Sequence, residues 1–453
     1  MISIAQIAVN CKGEIRMANP FLPLWEYIPD GEPHVFGDRV YLYGSHDCAA
    51  SYRFCDDKLK VWSAPLSDLN HWMCHGISFS TRDTNGHRSD TDWTDCELYA
   101  PDVAEKDGKY YLYAYILGSR GCVGVSEHPE GPFTLLSQYQ YEDADAGDDG
   151  IFNDAGVLVD TDGRTYIYYG FERSHFGELE ADMFTVRKGS YRADLIPSGT
   201  APDDFYEASS PRKIGEKYYL IYSPRSGCSL NYAVSDRPDG GFVRKGTIIC
   251  NGDEYPGGNN HGSLCCLNGQ WYIFYHRTTN NTIMSRRACA ERVTILSDGT
   301  IPQVEMTSLG FAEFLDPYEF TPADIACVLK GGCFPTEKDI FTRCITEIRT
   351  GCVIGYKYFD FGTDHSMSEM SVFFRIAGAG VRAEIHVLLD GEDGEEIGVC
   401  QTDTHDGVYK AKLRPVDGRH SVYFRIEHTC REWSSGMFNQ RNLFDLEAFV
   451  FTK

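Results

Sequence analysis

The chain has 453 residues, with 42 Lys+Arg against 66 Asp+Glu, a formal charge of −24. So acidic a protein is excluded as a general binder of phosphate backbones or anionic membranes, while a neutral substrate stays open to it. Aromatic residues make up 13% of the chain and glycines number 44, a balance that favours strands and turns over helices.

Five times along the first 300 residues a turn signal precedes a short aromatic strand. The copies are Gly37-Asp38-Arg39 before Val40–Tyr43, Asp107-Gly108-Lys109 before Tyr110–Tyr113, and Asp162-Gly163-Arg164 before Thr165–Tyr168. Gly215-Glu216-Lys217 before Tyr218–Ile221 and Asn268-Gly269-Gln270 before Trp271–Phe274 complete the set. Asp-Gly and Asn-Gly supply the positive φ angles of tight hairpins. The second strand residue of each copy is a tyrosine, at 41, 111, 166, 219 and 272, in steps of 70, 55, 53 and 53. A second repeat runs out of phase: Val125-Ser126 leading to Pro129, Gly131 and Phe133, and Val234-Ser235 leading to Pro238, Gly240 and Phe242. A period near 50 residues with several short strands per unit predicts a β-propeller, here of five blades. One long β-sandwich would explain the strands but not the period.

After Asp316-Pro317 the pattern changes to alternating strands such as Ser371–Ile376, Ala383–Leu389 and Ser421–Ile426, with turns at Asp390-Gly391 and Asp417-Gly418. The expectation is an all-β chain, a propeller over 18–310 followed by a β-sandwich of jelly-roll type over 325–453. The polar stretch Thr81–Asp95 is expected to cap the channel.

Reading back 9 to 12 residues from each repeat tyrosine gives Asp30, Asp102, Asp154, Glu207 and His261. In a propeller these positions open the innermost strands and can converge on the central channel. Crowded carboxylates push their pKa values apart, so that one group keeps its proton while another is ionised. One acid and one base across a sugar ring is the apparatus of glycoside hydrolysis. Trp25, Phe36, Phe152, Phe205 and Tyr206 are aromatic candidates for stacking on sugars, each with core packing as the plainer alternative.

These residues resemble glycoside hydrolase family 43, five-bladed propeller enzymes that invert anomeric configuration. The likeness covers roughly 18–310 and rests on Asn19-Pro20, Asp30 with Val35-Phe36, Tyr41–Asp47, Tyr99–Asp102, Asp154 with Asp160–Gly163, Glu207 before Ser210-Pro211, and His261-Gly262-Ser263. The resemblance implies that Asp30 is the general base, Glu207 the general acid, and Asp154 the residue that orients the acid and tunes its pKa. Asp102, Phe36, Tyr206 and Arg286 are expected to bind substrate, although for Arg286 a surface ion pair is the plainer reading. His261 matches a residue that touches calcium or water in many relatives; no cofactor is required, and a structural calcium in the channel is the allowed exception. Two departures stand out. Asp30-Gly31-Glu32-Pro33 replaces the usual Asp-Pro, which makes Glu32 a rival base, and Tyr99 replaces a frequent Trp.

The C-terminal region resembles a carbohydrate-binding module of family 6, with Trp433 as a candidate glycan platform and buttressing of the propeller as the favoured role. The implied activity is removal of terminal pentosyl residues from plant-derived oligosaccharides, α-L-arabinofuranosyl before β-D-xylosyl, the order suggested by Gln303–Ser308. A non-catalytic glycan-binding propeller is the alternative. The expected partner is a small oligosaccharide, with no nucleic acid and no membrane, and the oligomeric state is open. Seventeen cysteines, an odd number with no paired C-x-x-C pattern, no signal peptide and no run of about 18–20 apolar residues, lead to the expectation of reduced thiols in a cytoplasmic protein.

Overall fold

The computed structural model describes residues 18–118, 121–138, 140–141, 152–363, 369–430 and 435–453. Trp433 lies outside the described residues. Five sheets follow one another along the propeller, antiparallel except where Thr185–Val186 pairs parallel with Gln140–Tyr141 in the third. The first two are Glu32–Phe36, Arg39–Tyr43, Lys58–Pro65, Met73–Ser80, and then Leu98–Lys106, Lys109–Ile116, Cys122–Ser126, Thr134–Gln138. The third is led by Gly156–Val159, Thr165–Tyr169 and His175–Leu179, with two-residue strands completing it. The fourth is Phe205–Ile214, Lys217–Pro224, Ser229–Ser235, Val243–Cys250, and the fifth is Ser263–Leu267, Gln270–Thr279, Thr282–Val293. Each repeat tyrosine falls on the second strand of its sheet, as the period predicts.

The ring is closed by the segment before the first blade. Phe21 N–H donates to Ala288 O, and the Asn19 side chain accepts from Ala290 N–H and donates to Ala290 O. Those bonds occupy the free edge of the three-stranded fifth sheet, which would otherwise expose unpaired backbone groups.

Neighbouring blades are riveted by tyrosine hydroxyls. Tyr43 donates to Pro129 O at 2.6 Å and Tyr168 to Pro238 O at 2.8 Å. The out-of-phase repeat therefore has a mechanical meaning. Its serines, Ser126 and Ser235, accept the N–H two residues on and shape the turn whose proline carbonyl receives the rivet.

The two sheets of the sandwich share an apolar interior. One contains Phe334–Glu337, Arg343–Thr346, Phe444–Thr452, Met370–Gly378 and Gly407–Leu413; the other contains Val328–Lys330, Val353–Asp360, Arg419–His428, Ala383–Leu389 and Glu395–Gln401. Tyr356, Phe374, Phe424 and Phe449 pack edge to face between them. The same apolar cluster runs on into Tyr219, Ile273, Tyr275 and Cys289 of the propeller.

The stretch Thr81–Asp95 leaves the outermost strand of the first blade on the face where the first strands begin. It is tied to that blade's own rim by Thr81 N–H to Asp57 O and Thr81 Oγ1 to Cys96 O.

Candidate active site

Asp30 and Asp154 occupy equivalent positions, each just before the first strand of its blade. Both have left-handed backbones, with φ of 57° and 49°. A non-glycine residue there is uncommon, and such strain gathers at functional sites. Glu207 is aimed by a different device. The pairing of its strand slips on both sides of it, and Ala208 has φ of 66°. That is a β-bulge, which turns a side chain out of strand alternation. The second blade has a matching slip between Tyr99 and Asp102, with Ala100 at φ of 33°.

Asp30 is buried. Its Oδ2 accepts from Ser45 Oγ at 2.7 Å and its Oδ1 from Arg286 Nη1 at 2.8 Å. Its N–H donates to His276 Nδ1 at 3.4 Å, and His276 Nε2–H donates to Asn259 O at 2.8 Å. Burial would raise the Asp30 carboxyl, but Arg286, His261 and the Ser45 hydroxyl outweigh it and hold the pKa below the ordinary value. His276 is pushed down to about 3, first by burial and then by Arg286, so it stays neutral.

Asp154 and Glu207 move the opposite way. Burial, reinforced by Asp30 and opposed by His261, lifts Asp154 to about 6. Burial and then repulsion from Asp154 lift Glu207 to about 8. Asp154 Oδ2 also accepts the N–H of Ala208 at 3.1 Å, so the same carboxylate pins the backbone beside Glu207 and repels its charge.

His261 sits at the centre of this group. Its Nδ1 lies 3.8 Å from Asp154 Oδ2 and 4.0 Å from Asp30 Oδ1, and its Nε2 lies 3.8 Å from Glu32 Oε1. Burial disfavours the imidazolium, but Glu32, Asp154 and Asp30 more than compensate and raise it to about 9. These oxygens stand on both sides of the imidazole, two at Nδ1 and one at Nε2, so they meet the protonated ring rather than one shared cation point. A tighter grouping lies along the same channel, where ligand atoms of Glu32, His34 and Asp102 fall within 4.8 Å of one another.

Glu32 is held differently from Asp30. Arg212 Nη2 donates to its Oε2 at 2.7 Å, and Ser210 Oγ donates to the same oxygen at 3.2 Å. Burial is overcome by Arg212, His261 and His34, and its pKa falls to about 2.

Three expected substrate contacts are placed otherwise by the structure. Asp102 is fully buried: its Oδ1 accepts from His34 Nε2 at 2.6 Å and Val103 N–H at 2.7 Å, and its Oδ2 from Val157 N–H at 2.7 Å. It pins the first strands of three blades and is too deeply buried to meet a sugar. Phe36 ends its strand six residues from Asp30, about 20 Å away along an extended chain, stacked on His34 and against Tyr110. Arg286 is neither on the surface nor free for a hydroxyl: Nε and Nη2 grip Asp47 at 2.8 and 3.0 Å while Nη1 holds Asp30. Tyr206 stays at the site, half-buried beside Glu207. Phe152 and Phe205 are core, packed on Tyr169 and Tyr222, and Trp25 lies over Trp62 away from the carboxylates.

Ser45, Asp47, His276 and Arg212 join the site without having been singled out from sequence. A signal existed for two of them. Each second strand returns to the face where the first begins, so the residue four after a repeat tyrosine is level with the carboxylates. That rule gives Ser45, Tyr115, Gly170, Ser223 and His276, and Ser223 does pair with Glu207. Two clefts of about 330 and about 520 Å3 lie elsewhere, bordered by Glu305 and Val304 near the sandwich, without such an acid and base set.

The family model of Glycosyl hydrolases family 43 matches residues 18–301. A xylosidase/arabinosidase of Thermoclostridium stercorarium is 35% identical over 469 residues, covering 90% of this chain and 95% of that protein. An arabinoxylan arabinofuranohydrolase of Paenibacillus polymyxa is 25% identical, covering 95% and 74%. Among solved structures, a family 43 arabinoxylan arabinofuranohydrolase from Bacillus subtilis, in complex with cellotetraose, superposes with a TM-score of 0.52 at 21% identity, covering 96% and 97%.

Proposed function

Because the chain belongs to Glycosyl hydrolases family 43 and is a pentosyl-removing glycoside hydrolase, we propose that it works by inversion, with Asp30 as base, Glu207 as acid and α-L-arabinofuranosyl as the preferred group. The observation that carries this reading is the divergence of three carboxyls in one cluster: Asp30 held below its ordinary pKa, Asp154 at about 6 and Glu207 at about 8. At neutral pH, Asp30 is an anion able to take a proton from water, and Glu207 carries the proton that the leaving oxygen needs. Arg286 and Ser45 position Asp30, and neutral His276 accepts its backbone N–H without drawing charge from it. Asp30 rather than Glu32 is assigned the base because the run from Asp30 to Val35-Phe36 and the Tyr41 strand keeps the spacing on which the resemblance rests.

A calcium ion in the channel would find converging ligand atoms at Glu32, His34 and Asp102 rather than at His261, and would supply positive charge there. No step of hydrolysis runs through it. We place the catalytic domain at 18–310 and the sandwich at 325–453, the latter in a buttressing role supported by the apolar cluster that crosses the seam. Among the described residues no helix is long and apolar enough to cross a membrane. The described cysteines are free thiols, which supports a cytoplasmic site of action on imported oligosaccharides.

The test is hydrolysis of arabinofuranosyl- and xylosyl-substituted oligosaccharides, with proton NMR of the first anomer released. The expected result is an inverted product from wild type and a loss of about 10²–10⁴ in kcat for E207Q. Retention of configuration, or an E207Q enzyme at wild-type rate, would refute the assignment.

A further inference from the structure

The acid delivers its proton to the oxygen that joins the departing group, so whatever leaves must rest against the surface next to Glu207. Among the described residues, that surface includes the start of the strand Phe205–Ile214 and one turn of the third blade. Tyr206 immediately precedes Glu207, and its ring lies 5.0 Å from that of Phe171. Phe171 belongs to the turn Gly170–Ser174 between the second and third strands of the third blade. Phe171 is 44% exposed.

An exposed phenylalanine by itself is ordinary. This one is set in a frame. Gly170 N–H donates to Asn153 O at 2.9 Å, which ties the turn to the residue before Asp154. Glu172 N–H donates to Tyr206 O at 2.6 Å, which ties it to the residue before Glu207. Gly170 has φ of 140°, and a Cβ there would lie 1.9 Å from Arg173 O, so only glycine allows the turn. Tyr206 also carries the Arg225 guanidinium, 5.2 Å from the ring centroid, and Arg225 Nη1 donates to Glu172 Oε1 at 3.3 Å. The turn is thus anchored at both of the residues that flank the acid and its neighbour.

We propose that Phe171 and Tyr206, with Arg225 at their edge, form the subsite for the leaving chain, taking an uncharged pyranose unit that carries the scissile pentose. The apolar face of such a ring suits an aromatic surface, and its hydroxyls suit a guanidinium whose charge Glu172 already balances. Phe171 is a specificity-determining residue in this arrangement. It does not take part in proton transfer. The inference rests on Glu207 being the acid.

The experiment compares kcat/KM for two substrates with the same pentose: a methyl pentoside, which has no chain to bind, and a pentosyl-substituted xylo-oligosaccharide. In F171A the ratio of oligosaccharide to methyl pentoside is expected to fall roughly tenfold, mainly through KM, as expected for the loss of one aromatic contact. F171W is expected to restore it. Because a ratio is read, loss of active fraction through misfolding cancels. An unchanged ratio in F171A, with wild type active on both substrates, overturns the subsite and leaves the acid assignment standing. Wild-type activity that E207Q retains in full overturns the acid assignment, and the subsite with it.

Discussion

One carboxylate, Asp154, carries two of the forces that set up Glu207. It is lifted to about 6 by burial, yet it still repels its neighbour, which reaches about 8. Glu207 is protonated below that value, so activity should be lost as pH rises through about 8, while Asp30, held below the ordinary aspartate pKa, keeps the base competent down into acid. D154N removes the charge but keeps an oxygen able to accept the Ala208 N–H. The alkaline limb of kcat/KM should then move to lower pH, because Glu207 loses the repulsion that raised it, and kcat should fall by about 10². A limb that stays in place would mean Asp154 acts on the acid only through geometry. Of these residues, Asp30, Asp154, Glu207 and His261 were legible because they keep phase with the repeat tyrosines. Arg286 was legible as a motif but not in its role. Nothing local in Ser285-Arg286-Arg287 says that the first arginine is buried against Asp30 and Asp47, since both partners lie more than 200 positions away. Asp102 kept phase too, but its neighbours His34 and Val157 come from other blades, and only packing could show that they consume its oxygens.

At the scale of strands, hairpins were readable and irregularities were not. Asp-Gly and Asn-Gly turns announce the second strand of each blade because positive φ is a local demand. The bulge at Glu207 has no such marker, since Ala208 at φ of 66° is imposed by the pairing around it. The same holds for the close approach of the third and fourth blades. Gly156 opens the strand that follows Asp154, and a Cβ there would lie 2.2 Å from Ser209 O and 2.4 Å from Pro211 Cδ. Those atoms belong to the strand that presents Glu207, so this glycine sets how near the two carboxylates come. G156A is expected to destabilise the protein by about 1–3 kcal/mol in a urea titration, because backbone atoms must shift to admit the methyl group. It should also lower kcat on oligosaccharides while leaving the other blades' strand content unchanged by circular dichroism. Wild-type stability together with wild-type kcat would show that the seam can yield without cost.

At the scale of the whole molecule, the charge of −24 is not concentrated in the catalytic cluster. There, Asp30, Asp47 and Glu32 face Arg286, Arg212 and His261 at close range, so the excess of acid lies elsewhere. Some of the charge buried outside the site lies where the two parts of the chain meet. Arg287 of the last propeller strand donates to Asp324 Oδ2 at 2.6 Å, both groups being almost fully enclosed. Arg277, also buried, reaches Glu291 on the neighbouring strand and the carbonyl of Thr307, just ahead of the connector. Buried pairs of this kind need not add net stability, but breaking one is expensive because the survivor is left charged and unsolvated. D324N should therefore cost about 3–5 kcal/mol, read as an earlier unfolding transition and loss of cooperativity between propeller and sandwich. The double variant R287M/D324L should recover most of that loss, since no charge is stranded. The pair is already imperfect, with Arg287 Nε and Asp324 Oδ1 buried without a hydrogen-bond partner. If the double variant were as unstable as D324N, the cost would lie in lost packing at the seam rather than in an unpaired arginine, and the sandwich would hold the propeller through its apolar cluster alone.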